Sequence, residues 1–169
     1  ILASGSRPAR IPAFDIGSSR VMDSTAALQL EDVPDSLLVI GGGYIGLEMG
    51  TVYAELGSRV SVVELTDGLL PGADRDLVKP LDKRLKGLFE AIRLKTKVVG
   101  LKESGNGVEV SFEGPDGETT ETFSRVLVAV GRRPNSDGMG LENTNVVVDS
   151  KGFVEVDKQQ RTGDSHILA

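Results

Sequence analysis

The chain has 169 residues, long enough for one well-buried domain or one domain with trailing pieces of another. Apolar residues make up 39%, aromatics only 4%, and glycine occurs 21 times, a balance that suits an α/β protein with many tight turns and shows no low-complexity stretch. A formal net charge of -6 with scattered basic residues argues against a nucleic-acid surface; zero cysteines exclude disulfides, thiolate metal sites and thiol catalysis within these residues, and one histidine all but rules out a catalytic triad or a zinc site.

Residues 1 to 12 read as a short strand, a glycine turn (Ser4-Gly5-Ser6) and a connector bearing Pro8 and Pro12. Asp23-Ser24-Thr25 ahead of AALQL predicts a short capped helix. A strand follows from Leu37 to Gly41, then a helix from about Tyr44 to Leu56 on which Gly46, Gly50 and Ala54 form a smooth stripe at spacing four, with Gly57 as its stop. After a second strand, Arg59 to Glu64, a turn-rich TDGLLPGAD leads to a helical pattern that Asp74 can cap and that Pro80 should bend or delay. A third strand falls around Ala91 to Leu94. Three period-two runs near Lys97 to Glu103, Val108 to Glu113 and Glu118 to Phe123, separated by glycine-bearing turns, predict an antiparallel meander. RVLVAVG, Arg125 to Gly131, is apolar almost throughout, as a buried parallel strand should be, and runs into a second glycine turn, Gly131 to Asn135. The expected fold is α/β: a Rossmann-like βαβ parallel sheet with an inserted three-stranded antiparallel meander. No apolar run approaches the roughly 20 residues of a membrane span and no signal-peptide pattern opens the chain, so no membrane partner is expected and the default address is cytoplasmic. The chain begins at ILASGS without a methionine and ends at HILA, and is expected to be a piece of something longer.

The richest stretch is LLVIGGGYIGLEMG, Leu37 to Gly50. An apolar strand enters Gly41-x-Gly43-x-x-Gly46, a helix follows, and the strand SRVSVVE delivers Glu64, 18 residues after Gly46. That is the dinucleotide fingerprint in its full context. Gly41 permits the tight turn, Gly43 lets the backbone approach a pyrophosphate, and Gly46 lets the helix close on the strand. The helix N-terminus then offers unpaired N–H groups and a positive dipole end to the phosphates. The competing account is a purely structural glycine turn.

The order GGGYIGLE, VVE, TKV, VLVAVGRRPN resembles the NAD(P)-binding domain of the flavin-dependent pyridine nucleotide-disulfide oxidoreductases, and VVELTDGLLPGADRDLVKPL is most similar to their dihydrolipoamide dehydrogenase branch. The resemblance covers essentially the whole chain. ILASGSRP is similar to the family's returning flavin-domain strand, with Leu2 and Ser4 as mild departures, and TGDSHILA resembles the segment just upstream of the family's GD motif. The domains implied are residues 1–12 as returning strand and connector of a flavin domain, 13–158 as the NAD-binding domain, and 159–169 as a strand leading back to the flavin domain. In the family, electrons pass from a dithiol through a CxxxxC disulfide and FAD to NAD, with a C-terminal His-Glu pair as acid-base catalyst. These residues hold no cysteine and no flavin fingerprint. The resemblance therefore implies the NAD module of an enzyme: NAD is the cofactor here, FAD belongs to the full-length parent only, and the module alone binds NAD without turning it over. Implied partners are NAD(H), the flavin and interface domains of the parent, and, for a homodimeric parent, a 2-oxoacid dehydrogenase or glycine cleavage complex.

Residue by residue, the resemblance puts the pyrophosphate at Gly43, Tyr44, Ile45 and Gly46 beside the turn at Gly41, the adenine ribose on Glu64, the adenine near Val98 and the nicotinamide side near Gly131. Glu48 matches the glutamate of GYIGLE, which in the family reaches the nicotinamide carboxamide; a carboxylate in a first helical turn also reads as a dipole partner. Tyr44 matches a residue that gates the nicotinamide pocket in many relatives, or packs at the helix start. Arg132 is a candidate phosphate contact, whereas Arg133 reads as solvated. Ser4, Gly5 and Ser6 would touch FAD in the parent. His166 sits outside the family's catalytic histidine motif, which leaves it a structural or surface role. Two alternatives remain open: an NADPH-linked relative of the glutathione or mercuric reductase type, against which Glu64 followed by Leu65-Thr66-Asp67 argues by lacking arginines, and a stand-alone nucleotide-binding domain.

Overall fold

A computed structural model describes residues 1–169. The elements run β1 (Ser6–Pro8), β2 (Val21–Met22), α1 (Ser24–Gln29), β3 (Ser36–Ile40), α2 (Tyr44–Glu55), β4 (Arg59–Val63), α3 (Arg75–Leu88), β5 (Ala91–Arg93), β6 (Lys97–Ser104), β7 (Gly107–Gly114), β8 (Gly117–Phe123), β9 (Arg125–Val128) and β10 (Arg132–Pro134), with 3-10 turns at Pro12–Phe14 and Leu141–Asn143. They divide into two compact units, Arg10–Gly131 and Ile1–Ala9 with Arg132–Ala169. No helix is long and apolar enough to cross a membrane.

The fold of Arg10–Gly131 is α/β. Its parallel sheet has the strand order β2-β9-β3-β4-β5. Side chains on a strand alternate faces, and here both faces are covered, which is why β3 and β9 read as nearly continuous apolar runs. Leu37, Val39, Val60, Val62 and Leu127 pack with Leu47 and Tyr53 of α2 and Val78 and Leu85 of α3. Leu38, Ile40, Val63 and Val126 pack with Val98, Val108, Val110, Phe112 and Phe123 of the antiparallel β6-β7-β8 sheet. The meander is thus the cover of one sheet face, and the helices cover the other.

Helix α1 starts where the sequence predicts, because the Asp23 carboxylate accepts the Thr25 and Ala26 N–H groups. Helix α2 ends in a Schellman motif: the Gly57 N–H donates to the Ala54 carbonyl, the Ser58 N–H to that of Tyr53, and Gly57 takes φ +107. The glycine stripe is used as expected, since a Cβ on Gly50 would stand 3.1 Å from the Phe89 ring and 3.4 Å from Val60. Helix α3 is not delayed by Pro80, since it begins at Arg75 and runs through the proline. Its cap at Asp74 fixes the start, and Pro80, the sixth residue of the helix, forgoes the one i−4 bond to Asp76.

In the other unit, β1 pairs antiparallel with β10 in the register Ser6 to Pro134 and Pro8 to Arg132. The Arg7 guanidinium reinforces the ribbon by donating to the Pro134 carbonyl, Asn135 and Asp137. The remainder is held by turns in which Asp149, Asp157 and Asp164 carboxylates accept nearby backbone N–H groups. Three expectations are corrected here. The strand near the N-terminus lies after Gly5 rather than before it, Arg132 to Pro134 form a strand instead of a loop, and 159–169 forms only an isolated bridge between Arg161 and Leu168. With β10 paired back on β1, residues 132–169 group with residues 1–9.

Candidate functional site

From β3 the chain moves to β4 and β5 on one side, whereas β9 and β2 lie on the other, so strand order reverses between β3 and β9. Open α/β sheets bind ligands outside the carboxyl ends of the strands at such a reversal. Three turns meet that end here: Gly41-Gly42-Gly43 after β3, Glu64 after β4, and Ala129 to Gly131 after β9.

The glycines divide by what surrounds them. Gly41 takes φ +111, and a Cβ on it would lie 2.5 Å from the Ala129 carbonyl oxygen. A Cβ on Gly46 would fall well inside contact distance of the Gly41 carbonyl oxygen and 3.0 Å from Val39. Both are needed for the helix and two strands to close together. Gly43 is different: a Cβ there would project into open space, so packing gives no reason for glycine. Gly43 is the N-cap of α2, its carbonyl accepts the Leu47 N–H at 3.0 Å, and no side chain caps this terminus. The N–H groups of the first turn therefore point outward from a positive dipole end beside backbone that a ligand can approach closely.

Glu64 is 8% exposed, and its carboxylate is engaged on both oxygens. Oε2 accepts the Gly42 N–H at 2.7 Å; Oε1 accepts the Thr66 N–H and the Thr66 hydroxyl, each at 2.8 Å. A carboxylate offers about four acceptor positions, so one on Oε2 remains. Gly42 is held from its other side, because its carbonyl accepts the Leu70 N–H at 2.8 Å and a Cβ on it would stand 2.8 Å from the buried Leu69 side chain. The loop after β4 is in turn gathered by Arg75, whose guanidinium donates to the carbonyls of Leu69, Leu70 and Ala73. Gly42, Thr66, Leu69 and Arg75 were not singled out from the sequence. The run of three glycines was the available signal for Gly42; the others depend on how the loop folds back.

The remaining predicted positions are more dispersed. Tyr44 is 63% exposed at the first position of α2, Ile45 is half-buried, and Glu48 is exposed. Glu48 is the fifth residue of a helix that begins at Tyr44, so the dipole account of its carboxylate is corrected: it lies past the first turn, where the dipole acts most. The Val98 side chain is buried in the core beneath the meander, which leaves its backbone as the part a ligand could meet. Gly131 is exposed with φ +130 at the end of the β9 turn. Arg132 belongs to the other unit, where its guanidinium donates to the Ser6 hydroxyl at 2.6 Å and to the Ser6 carbonyl. His166 is almost fully exposed beside Ser165 and Asp164.

Sheet, glycine turn and terminal acid together make Arg10–Gly131 a Rossmann-like α/β domain. The chain belongs to the pyridine nucleotide-disulphide oxidoreductase family, whose model matches residues 1–169. It is 46% identical over 170 residues to the dihydrolipoyl dehydrogenase of Vibrio parahaemolyticus, covering 100% of this chain and 36% of that protein. Identity to the dihydrolipoyl dehydrogenase of Haloferax volcanii is 43% over 170 residues, again 100% of this chain and 36% of the relative. Among solved structures it is similar to an HOCl-induced flavoprotein disulfide reductase from Escherichia coli, with TM-score 0.85 and 30% identity over 98% of this chain and 37% of that one. It is also similar to LpdA from Mycobacterium tuberculosis, with TM-score 0.85 and 28% identity over 98% of this chain and 35% of that one. The chain spans about a third of the length of the curated relatives it matches.

Proposed function

We propose that Arg10–Gly131 is the NAD(H)-binding module of a dihydrolipoyl dehydrogenase. One observation carries the reading: a buried carboxylate, Glu64, stands at the end of β4 hydrogen-bonded to the middle of a glycine turn whose helix terminus is uncapped. The residues suit a dinucleotide. The spare acceptor position on Glu64 can take an adenosine ribose hydroxyl, and the open space at Gly43 and the N–H groups of Tyr44, Ile45 and Gly46 can take the pyrophosphate. Gly41 makes the turn beside the pyrophosphate, Gly131 bounds the nicotinamide end, where Tyr44 and Glu48 would serve, and the Val98 backbone would meet adenine. Arg132, tied to Ser6, has the weakest case. The parent's FAD would supply the electron transfer between dithiol and nicotinamide, while these residues bind and orient the nucleotide.

The parent is proposed to be a soluble cytoplasmic homodimer within a 2-oxoacid dehydrogenase or glycine cleavage complex, a reading supported by the dihydrolipoyl dehydrogenases among its relatives. A related flavoprotein disulfide reductase is the second reading, favoured by the solved flavoprotein disulfide reductase it resembles, and NADPH would be its nucleotide. Titration calorimetry of the chain with NAD+, NADP+ and FAD separates them. Saturable NAD+ binding that weakens on Glu64→Gln supports the proposal; preference for NADP+ supports the second reading, and preference for FAD overturns both.

A further inference from the structure

The Thr66 hydroxyl stands between two acceptors. It is 2.8 Å from Glu64 Oε1 and 3.0 Å from the Gly68 carbonyl oxygen, and it has one proton to give. The Thr66 N–H is also on Oε1, at 2.8 Å, held there by the turn that succeeds β4. Oε1 therefore has two donors and is saturated, whereas Oε2 has only the Gly42 N–H. A ribose diol that grips a carboxylate through both oxygens needs a position on each. Of the two donors on Oε1, only the hydroxyl can leave: the backbone N–H is fixed, while the hydroxyl is a rotor with an alternative acceptor already in reach.

From this geometry we infer that Thr66 sets the affinity of the dinucleotide site, a built-in competitor that satisfies Glu64 when no nucleotide is present and cedes Oε1 to a ribose hydroxyl when one arrives, transferring its own hydrogen bond to Gly68. The inference rests on the proposal that Glu64 receives the adenosine ribose. The hydroxyl then has opposite effects in the two states. In the free protein it is the third donor to a nearly buried carboxylate, added to the Thr66 and Gly42 N–H groups, and so stabilises it. In the complex the same hydroxyl is what the ligand must displace, so it lowers affinity while raising stability. A residue with a merely structural role would move both quantities in one direction.

The test compares Thr66→Val, which removes the hydroxyl at nearly constant shape, with Thr66→Ser, which keeps it, in the full 169-residue chain. The probe is NAD+, read by titration calorimetry, alongside thermal unfolding without ligand. Thr66→Val should bind NAD+ about fivefold more tightly, the fold-change for the ~1 kcal/mol by which a hydrogen bond to a carboxylate exceeds one to a neutral carbonyl, at about 1.4 kcal/mol per tenfold, and should unfold at a lower temperature. Thr66→Ser should match the unmodified chain in both. Unchanged or weaker NAD+ binding by Thr66→Val, with the unmodified chain binding NAD+ in a Glu64-dependent way, overturns this inference and leaves the NAD(H) reading standing. Failure of all the proteins to bind NAD+ overturns both.

Discussion

Gly46 on α2 lies directly against the carbonyl of Gly41, so closely that no Cβ fits between them, while Gly43, in the same turn, faces nothing. The glycines of one fingerprint are thus present for different physical reasons, and substitutions should separate them. Gly46→Ala forces α2 away from β3 and should cost at least about 1–3 kcal/mol, as overpacking of a close contact does. Gly43→Ala meets no atom and sits at φ -78, so its stability should stay within about 1 kcal/mol of the unmodified chain, the cost of a poorer N-cap residue. Its NAD+ affinity should nonetheless fall at least tenfold, because the added methyl occupies the space for the pyrophosphate. Chemical denaturation and calorimetry on both variants check the pair, and a Gly43→Ala chain that binds normally would remove the phosphate role from that position.

Tyr53 offers a separate check on the helical layer. Its side chain is buried at 1% exposure and its hydroxyl donates to the Ala27 carbonyl at 2.8 Å, tying α2 to α1. Burial, and secondarily the Asp32 charge, raise its pKa above the ordinary 10.0. A group raised in the folded state contributes stability that is complete below its unfolded pKa and is lost as pH climbs toward the folded one. Tyr53→Phe should therefore cost about 1 kcal/mol near neutrality, and the gap between the two proteins should shrink as pH rises above about 10. A gap that is constant or widens in that range would contradict the assignment.

Most of the sheet unit is legible in the sequence because its pattern and its environment agree. β3 and β9 are apolar on both faces since both are covered, the central meander strand β7 alternates since one side packs on the sheet, and Asp23, Asp74 and Gly57 mark helix ends by local chemistry. The other unit is poorly legible for the opposite reason. Its only strand pair joins residues whose separation in sequence exceeds a hundred, and the rest is set by Asp149, Asp157 and Asp164 turns that leave no periodic trace. Within the site, Glu64 could be named from its distance to Gly46. Its partners Gly42 and Thr66 could not, because their importance arises from the direction of one carboxylate and from Leu69 folding back over the turn.

Catalysis gives a third prediction. The chain has no cysteine, so a dithiol cannot be oxidised through a disulfide of its own, and its one glycine fingerprint is assigned to NAD(H). The purified chain should show no dihydrolipoamide oxidation and no NADH-dependent dye reduction, with or without added FAD. Flavin-dependent dye reduction by NADH above a no-protein control would show that these residues also organise a flavin.

Cofactor choice rests on Glu64 and on its neighbours at the end of β4. An unphosphorylated adenosine ribose can donate to this carboxylate, and hydrogen bonds to a charged group contribute about 1.5–3 kcal/mol each. A 2′-phosphate would instead meet a buried like charge, and the next residues along the chain are Leu65, Thr66 and Asp67, with no arginine among them. NAD+ should therefore bind at least tenfold more tightly than NADP+, a difference of about 1.4 kcal/mol. Because Glu64 also accepts from Gly42 and Thr66, Glu64→Ala should destabilise the free chain as well as weaken NAD+ binding, which would confuse the comparison. Glu64→Gln keeps an acceptor for one of these donors and removes the charge, so it is the cleaner variant. It should narrow the NAD+ to NADP+ ratio mostly by weakening NAD+, with a smaller loss of thermal stability than Glu64→Ala. Equal affinities for the two cofactors in the unmodified chain would overturn the assignment of NAD as the ligand.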